Sequence, residues 1–416
     1  MKGLTLFFIV RIGSLNIKNI KRLVVMLVIP VLMSGCSWLT LKKTFFPAPG
    51  PKVHELWHAQ IGEGTGDFYS KLLPAVTEDF VYASDTLGHV AAFHRDTGKT
   101  NWAINLNTTI SGGVFAGYGL VLIGTSDGEL IALNQQTGSE KWRIELSSEI
   151  LAQPQFNGEW VIAQTAAGSL HAIDGETGLQ KWVYSTTVPI LSLRGSSTPL
   201  IVGLRVLAGF ANGKLFSILL ENGIPEWEST VAVPHGRSEL ERIVDIDGRY
   251  IVENNTIFVS AYQGKTSAIE LTSGRTLWQR DISSYAGLDS GLSNIYVTSS
   301  AGKIIALDQS DGAQLWEQTF LLGKKPTAPI AIGGYLIVAD FEGNVYWLSQ
   351  IDGQVVVHYR MKGRADRENP ITKSKARYTS IVRESGNGIR TPPVVKDGVL
   401  YLINNQGELK ALELTP

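Results

Sequence analysis

The fold is decided by one stretch of sequence, Gly128-Glu129-Leu130-Ile131-Ala132-Leu133-Asn134-Gln135-Gln136-Thr137-Gly138-Ser139-Glu140-Lys141-Trp142. The apolar residues 130–133 must alternate between two faces, which is the period of a β-strand in contact with neighbours on both sides. Gly138 suits a turn position that needs positive φ, so the pattern predicts a hairpin. Trp142 then lies on the returning strand, where its ring can fill space between stacked sheets.

The same spacing recurs along the chain, which is the signature of a repeat protein. The leading glycines are Gly88, Gly128, Gly168, Gly213, Gly264, Gly302 and Gly343. Ten residues after each of them stand Gly98, Gly138, Gly178, Gly223, Gly274, Gly312 and Gly353. Four residues further on come Trp102, Trp142, Trp182, Trp227, Trp278 and Trp316, with Val357 in the seventh copy.

Two incomplete copies stand at the ends of the repeat array and complete each other. The segment 53–59, centred on Trp57, has the character of a last strand without its hairpin, and 407–414 has that of a first strand without its tryptophan. Pairing of the two would close a ring and remove exposed sheet edges. The sequence therefore predicts an all-β protein, an eight-bladed β-propeller of four-stranded blades closed by its N- and C-terminal strands.

The N-terminus predicts a lipoprotein signal. Residues 1–35 contain five Lys or Arg and no acid, and an apolar run of signal-peptide length precedes Ser34-Gly35-Cys36. Cys36 is the only cysteine, so it is the candidate lipidation site, and no internal disulfide is possible. We expect a lipoprotein signal peptide in 1–35, with a possible misassigned upstream start, a lipidated tether in 36–52 and the propeller in 53–416.

The connections between repeats vary in length, and insertions in a repeat fold concentrate on the working face. Two long connections fall in neighbouring blades, between Trp182 and Gly213 and between Trp227 and Gly264, so their loops should lie close together. A third, the basic insertion 358–390, is either a solvated excursion or a secondary contact to acidic protein or phospholipid head groups.

Composition argues against several classes of function. The chain has 37 Lys and Arg against 38 Asp and Glu and no basic stripe interleaved with aromatic residues, so nucleic acid is not expected as a partner. The seven histidines are scattered, and His54 and His58 would lie roughly 13 Å apart on a strand. We therefore predict no metal site, no cofactor and no catalytic residues.

The Gly…Thr-Gly…Trp repeat resembles that of quinoprotein-like eight-bladed propellers, and within that group the chain resembles the BamB lipoproteins of the outer-membrane β-barrel assembly machinery. Four motifs carry this narrower resemblance, namely Leu32-Met33-Ser34-Gly35-Cys36, Gly66-Asp67-Phe68-Tyr69-Ser70, Leu191-Ser192-Leu193-Arg194-Gly195 and Asp245-Ile246-Asp247. The basic insertion is longer than is typical of that family.

The resemblance implies a scaffold that is lipid-anchored in the outer membrane and faces the periplasm. In that family the propeller binds the POTRA domains of the central barrel subunit and assists the folding of nascent outer-membrane proteins. By motif match, Leu191, Leu193 and Arg194 would form the docking loop, and Asp245 and Asp247 would help to build its surface. The alternative for the leucines is inward packing, and for the two aspartates a structural salt bridge or turn.

Two other functions share the repeat. A quinone-dependent dehydrogenase would need a metal ion beside the cofactor and a catalytic carboxylate, and the sequence offers no motif for either. A periplasmic interaction propeller with another partner would share every structural feature of the scaffold and differ only in what it binds.

Overall fold

The computed structural model describes residues 50–65, 71–189, 191–193, 197–361 and 387–415. Within these ranges the chain forms 32 β-strands and no helix, and hence no helix that is long and apolar enough to span a membrane. The strands form eight antiparallel sheets of four strands each, so the predicted blade number and strand content are confirmed.

Seven blades are each formed by four consecutive strands, and the eighth combines the two ends of the described chain. Blades 1 and 2 contain Ala75–Val76 (β2), Phe80–Ser84 (β3), His89–His94 (β4), Thr100–Asn105 (β5), Phe115–Gly117 (β6), Leu120–Gly124 (β7), Glu129–Asn134 (β8) and Glu140–Glu145 (β9). Blades 3 and 4 contain Gln155–Phe156 (β10), Trp160–Gln164 (β11), Ser169–Asp174 (β12), Gln180–Ser185 (β13), Leu200–Val202 (β14), Arg205–Gly209 (β15), Lys214–Leu219 (β16) and Pro225–Thr230 (β17). Blades 5 and 6 contain Ile251–Glu253 (β18), Thr256–Ser260 (β19), Thr266–Glu270 (β20), Thr276–Arg280 (β21), Gly287–Gly291 (β22), Asn294–Thr298 (β23), Ile304–Asp308 (β24) and Gln314–Gln318 (β25). Blades 7 and 8 contain Ile330–Ile332 (β26), Tyr335–Ala339 (β27), Asn344–Ser349 (β28), Val355–Arg360 (β29), Val394–Lys396 (β30), Val399–Ile403 (β31), Glu408–Thr415 (β32) and Lys52–Gln60 (β1).

The core lies between the blades, and the alternation of β8 shows why. Ile131 and Leu133 pack into an apolar cluster shared with blade 1, whereas Leu130 and Ala132 pack into a cluster shared with blade 3. All four side chains are fully buried. Because successive residues of a strand point to opposite faces, one run of apolar residues supplies two interfaces at once.

Each template tryptophan docks on the turn of the next blade. In blade 1, the Trp102 indole N–H donates to the carbonyl of Gln135 at 3.1 Å. A Cβ added to Gly138 would lie 2.7 Å from the Trp102 ring, so only glycine allows this approach. The seven pairs of tryptophan and glycine are Trp57 with Gly98, Trp102 with Gly138, Trp142 with Gly178, Trp182 with Gly223, Trp227 with Gly274, Trp278 with Gly312, and Trp316 with Gly353.

A β-bulge in the fourth strand of the blade precedes the docked ring. In blade 2, Ala132 pairs with Trp142 but Leu133 pairs with Glu140, so Lys141 is an extra residue in the outer strand. The same register shift accompanies the fourth strand of every blade. A bulge reorients the local side chains, and here it precedes the ring that covers the neighbouring blade.

The ring closes in blade 8, where β1 pairs antiparallel with β32, from Lys52 with Thr415 to Gln60 with Glu408. The predicted pairing of the chain ends is therefore confirmed, and Trp57 is the eighth blade's tryptophan. This closure also explains Val357. The third and fourth strands of blade 8 are the two ends of the chain, so blade 8 has no turn glycine for a tryptophan of blade 7 to cover.

The topology gives the propeller two distinct faces. The turn face carries the turns between first and second strands and between third and fourth strands, such as 118–119 and 135–139. These two turns lie side by side, since the N–H of Gln135 donates to the carbonyl of Gly119 at 3.0 Å. The connector face carries the remaining turns and the connections between blades, including the described parts of those between β13 and β14 and between β17 and β18.

Candidate partner-docking site

The residues predicted for the docking surface lie in two neighbouring connections of the connector face. Leu191 and Leu193 belong to the connection between β13 and β14, with Leu191 46% exposed and Leu193 half-buried. Asp245 and Asp247 belong to the connection between β17 and β18 and are buried, at 1% and 5% exposure. Arg194 lies outside the described residues.

Asp245 joins the two connections. The backbone N–H groups of Leu193 and Ile246 lie close enough to its side chain to lower its pKa, although burial raises it by more, and its carbonyl accepts a hydrogen bond from the N–H of Tyr262 at 2.7 Å. Tyr262 follows β19 of blade 5, so this bond holds the connection between β17 and β18 against blade 5. A buried acidic side chain with backbone contacts of this kind fixes loop geometry rather than offering a free charge to a partner.

Asp247 brings in a third segment of chain. Its carboxylate is 2.8 Å from the Nζ atom of Lys71, whose ammonium group is also 3.4 Å from the Asp247 carbonyl oxygen. Lys71 directly follows the motif 66–70, which lies outside the described residues. The ion pair therefore connects the segment before blade 1 with the connection between blades 4 and 5.

Charge in this cluster is not balanced. Burial raises the pKa of Asp245 well above its usual range, the negative charge of Asp247 raises it further, and Lys71 partly offsets both. One oxygen of each carboxylate, Oδ2 of Asp245 and Oδ1 of Asp247, accepts no hydrogen bond from any described residue. Two buried acids thus share one cation, which favours a protonated Asp245.

A further exposed apolar residue, Leu240, lies in the same connection as Asp245 and Asp247 and escaped the sequence analysis. It is presented by a tight turn in which Oε2 of Glu241 accepts from the N–H of Ser238 at 3.2 Å, while the N–H of Glu241 donates to Oγ of Ser238 at 3.2 Å. This is the reciprocal arrangement of a capping box. The Ser-x-x-Glu spacing of residues 238–241 was a signal for it in the sequence.

Two other predicted sites, Cys36 and most of the basic insertion 358–390, lie outside the described residues. At the insertion's end, the guanidinium of Arg390 lies 5.1 Å from the Phe341 ring centroid, and Nζ of Lys325 lies 5.3 Å from it. The described ranges contain no group of three His, Cys, Asp or Glu side chains that could hold a metal ion.

Comparisons with known proteins give consistent results. The family model described as outer membrane protein assembly factor BamB matches residues 86–318 and 294–416. Outer membrane protein assembly factor BamB of Pseudomonas aeruginosa is 46% identical over 355 residues, covering 85% of this chain and 87% of the relative.

Solved structures give the same fold. The crystal structure of BamB from Moraxella catarrhalis superposes with a TM-score of 0.76 at 26% identity, covering 87% of this chain and 100% of that one. A quinohemoprotein alcohol dehydrogenase from Comamonas testosteroni superposes with a TM-score of 0.66 at 13% identity, covering 86% of this chain and 76% of that one. The second likeness concerns the fold alone.

Proposed function

Because this chain belongs to the family of outer membrane protein assembly factor BamB, we propose that it is a non-enzymatic scaffold whose connector face docks a partner subunit of the assembly machinery. One observation carries the proposal, namely that the backbone N–H of Leu193 lies in polar contact with the buried Asp245 side chain. This contact ties the loop that displays Leu191 to the connection between β17 and β18. An apolar side chain displayed on a rigid loop binds at a lower entropic cost than one on a mobile loop.

The docking surface combines apolar side chains with a cation. Leu191 and Leu240 are both exposed, and they belong to the two connections that meet at Asp245. Arg194 follows Leu193 directly in the sequence, and arginine is enriched among the residues that dominate protein interfaces. We propose Leu191, Leu193 and Arg194 as partner contacts, with Asp245 and Asp247 as residues that position the loop.

The partner we propose is the set of periplasmic POTRA domains of the central barrel subunit. Lipidation at Cys36, after removal of residues 1–35, would anchor the propeller to the outer membrane through the tether 36–52 and hold it on the periplasmic side. The family membership and the signal-like N-terminus support this arrangement.

The test is calorimetric titration of the full chain with the purified POTRA domains. Leu191→Glu would place a charge in the contact and should weaken binding at least tenfold, and Arg194→Glu should do the same. Ile351→Glu is the matched control, because Ile351 is an exposed aliphatic residue in a turn on the opposite face. Circular dichroism would establish that each variant is folded.

The possible outcomes test the proposed partner and the proposed binding site separately. Loss of binding in the loop variants alone supports both the partner and the site. Equal binding by wild type and both loop variants keeps the partner and refutes the site. Failure of the wild-type chain to bind would refute the partner and leave a periplasmic interaction propeller with another ligand.

We also propose that nascent outer-membrane proteins contact the propeller by adding a strand to a blade edge. In each described sheet the fourth strand is hydrogen-bonded to only one neighbour, so its outer edge has backbone groups open to an extended chain. Photo-crosslinkers placed along β21 and, separately, in the docking loop would test this. Nascent-chain crosslinks confined to the docking loop would contradict it.

A further inference from the structure

The turn face of blades 2 to 4 combines exposed apolar side chains with uncompensated acids. Tyr118, Leu179, Leu204 and Ile224 all lie in turns of this face and are 71%, 65%, 79% and 56% exposed. Large exposed apolar side chains that group together on a soluble protein usually mark an interaction site. We refer to these four residues and the acids beside them as the turn-face patch.

The patch is continuous from blade 2 into blade 3. The Tyr118 ring lies across the inner turn of blade 3, 3.2 Å from the position that a Cβ on Gly158 would occupy. Its centroid is 5.6 Å from that of Phe156, with the rings nearly perpendicular. Phe156 in turn lies against Gly175, the first residue of the turn that ends at Leu179.

Blade 4 continues the patch. The carbonyl of Leu204 accepts a hydrogen bond from the N–H of Leu220 at 2.9 Å, and the carbonyl of Ile224 accepts one from the N–H of Leu219 at 2.8 Å. The two exposed aliphatic residues of this blade are thereby held in adjacent turns. The Trp182 indole N–H donates to the Leu220 carbonyl at 2.7 Å, which joins this pair of turns to blade 3.

The charges of the patch have one sign. Its turns contain Glu159, Glu176 and Glu221 and no Lys or Arg. All three glutamates are exposed, and none forms an ion pair or a side-chain hydrogen bond with a described residue. On the same face at blades 8 and 1, by contrast, Arg95 is 2.7 Å from Asp397 and Lys396 is 2.5 Å from Glu78, so charges there are compensated.

We infer that the turn-face patch docks a protein segment that carries both basic and apolar side chains. The four apolar residues supply the area to be covered, and the three free carboxylates select lysine or arginine in the partner. This surface lies on the opposite face from the docking loop, so both can be occupied at once. A lipid surface is the less suitable occupant, because the glutamates repel anionic head groups.

The test uses synthetic peptides on the full chain in a nonionic detergent, with detergent alone as the blank. The probe is a fluorescein-labelled peptide of alternating Leu and Lys, and the comparison peptides alternate Leu with Glu and Ser with Lys. Fluorescence anisotropy should show at least tenfold tighter binding of the Leu-Lys peptide than of either comparison. Equal binding of the three peptides, or none by the Leu-Lys peptide, would overturn the inference.

Matched variants test whether the Leu-Lys peptide binds at the turn-face patch. Leu204→Ser combined with Ile224→Ser should weaken binding of the Leu-Lys peptide at least tenfold. The control combines Leu292→Ser with Ile351→Ser, which removes two exposed aliphatic residues from turns of the same face in blades 6 and 7, and should change the affinity less than twofold. An equal loss in both double variants would refute the assignment to blades 2 to 4.

Charge and lipid are tested separately. Glu176→Gln combined with Glu221→Gln should weaken binding severalfold at low salt and flatten its salt dependence, because fewer charges remain to be screened. An unchanged salt dependence would refute the role given to the acids. Binding of phosphatidylethanolamine vesicles is measured for the same variants. If the Leu204→Ser and Ile224→Ser double variant loses binding to the vesicles but keeps binding to the peptide, the surface is a membrane contact and the inference is wrong.

Discussion

The contact between tryptophan and glycine predicts that two glycines of one blade respond very differently to the same substitution. Gly138 has φ of +74° and Gly119 has φ of +82°, and both lie in turns of blade 2 on the same face. A Cβ on Gly138 would lie 2.7 Å from the Trp102 ring, whereas a Cβ on Gly119 would have no heavy atom within 4 Å. Comparing alanine substitutions at the two positions separates the cost of backbone strain from the cost of contact with the Trp102 ring.

The magnitudes follow from these two terms. Alanine in the left-handed region costs about 1 to 2 kcal/mol at either position. Overpacking against the ring adds about 1 to 3 kcal/mol at Gly138 only. The gain from restricting the unfolded chain is common to both substitutions and cancels in the comparison. We therefore expect Gly138→Ala to destabilise the fold by about 1 to 3 kcal/mol more than Gly119→Ala.

The assay is urea unfolding followed by tryptophan fluorescence, with circular dichroism as a second probe of whether the transition is two-state. A double-mutant cycle completes the design. In a Trp102→Leu background the ring is absent, so Gly138→Ala should cost only the backbone strain that Gly119→Ala shows. Equal destabilisation by the two glycine substitutions in the wild-type background would refute the reasoning, as would an unchanged cost of Gly138→Ala when the ring is removed.

Three further predictions concern the cluster of Asp245, Asp247 and Lys71 and the closure of the ring. Because the raised pKa of Asp245 means that the folded state binds its proton more tightly, stability from this group is lost as pH rises from its ordinary pKa through its folded pKa. The urea midpoint of Asp245→Asn should therefore depend less on pH across this range than that of the wild type. A midpoint that falls with pH as steeply as in the wild type would contradict the raised pKa of Asp245. Lys71→Met leaves the buried Asp247 carboxylate without its cation and should destabilise the fold by about 2 to 3 kcal/mol in the same assay, whereas a loss below about 0.5 kcal/mol would show that the pair is solvated. Val357→Trp should not raise the thermal midpoint, since no turn glycine of blade 8 can receive the ring, and a clear increase would show that the ring finds another binding position.

Much of the fold could be predicted because the information is local and repeated. The spacing from Gly128 to Gly138 and Trp142 determines a strand, a turn and a returning strand within fifteen residues, and seven copies make the pattern unmistakable. The closure was predictable for the same reason, because Trp57 and Gly407 are halves of one template. Local patterns of this kind are the most reliable signals that a sequence carries.

What the sequence did not reveal depends on contacts between blades. The template does not say that a tryptophan covers the turn glycine of the following blade. Val357 therefore looked like the loss of a useful tryptophan, whereas blade 8 has no turn glycine for such a tryptophan to cover. The template also puts a glycine at position 264, yet the left-handed backbone lies one residue earlier, at Gln263 with φ of +48°. The local turn shifted by one residue while the strands after it kept their register.

The cluster of Asp245, Asp247 and Lys71 also depends on contacts between distant segments, which local spacing does not predict. Asp245 and Asp247 were identified by their motif, but their burial and the contact of Leu193 with Asp245 depend on two connections about fifty residues apart. Leu240 had a capping signal in the sequence and no indication that it would be exposed. Exposure is a property of the assembled face, and no spacing rule encodes it.

The pairing of β1 with β32 also has a kinetic consequence. Seven blades form from neighbouring strands and can assemble in the order in which the chain emerges, whereas β1 must remain without its partner until residues 408–415 have been made. Loop closure over such a separation is slow compared with hairpin formation. A copy that stops before β32 would therefore leave β1 without its partner strand and the ring open.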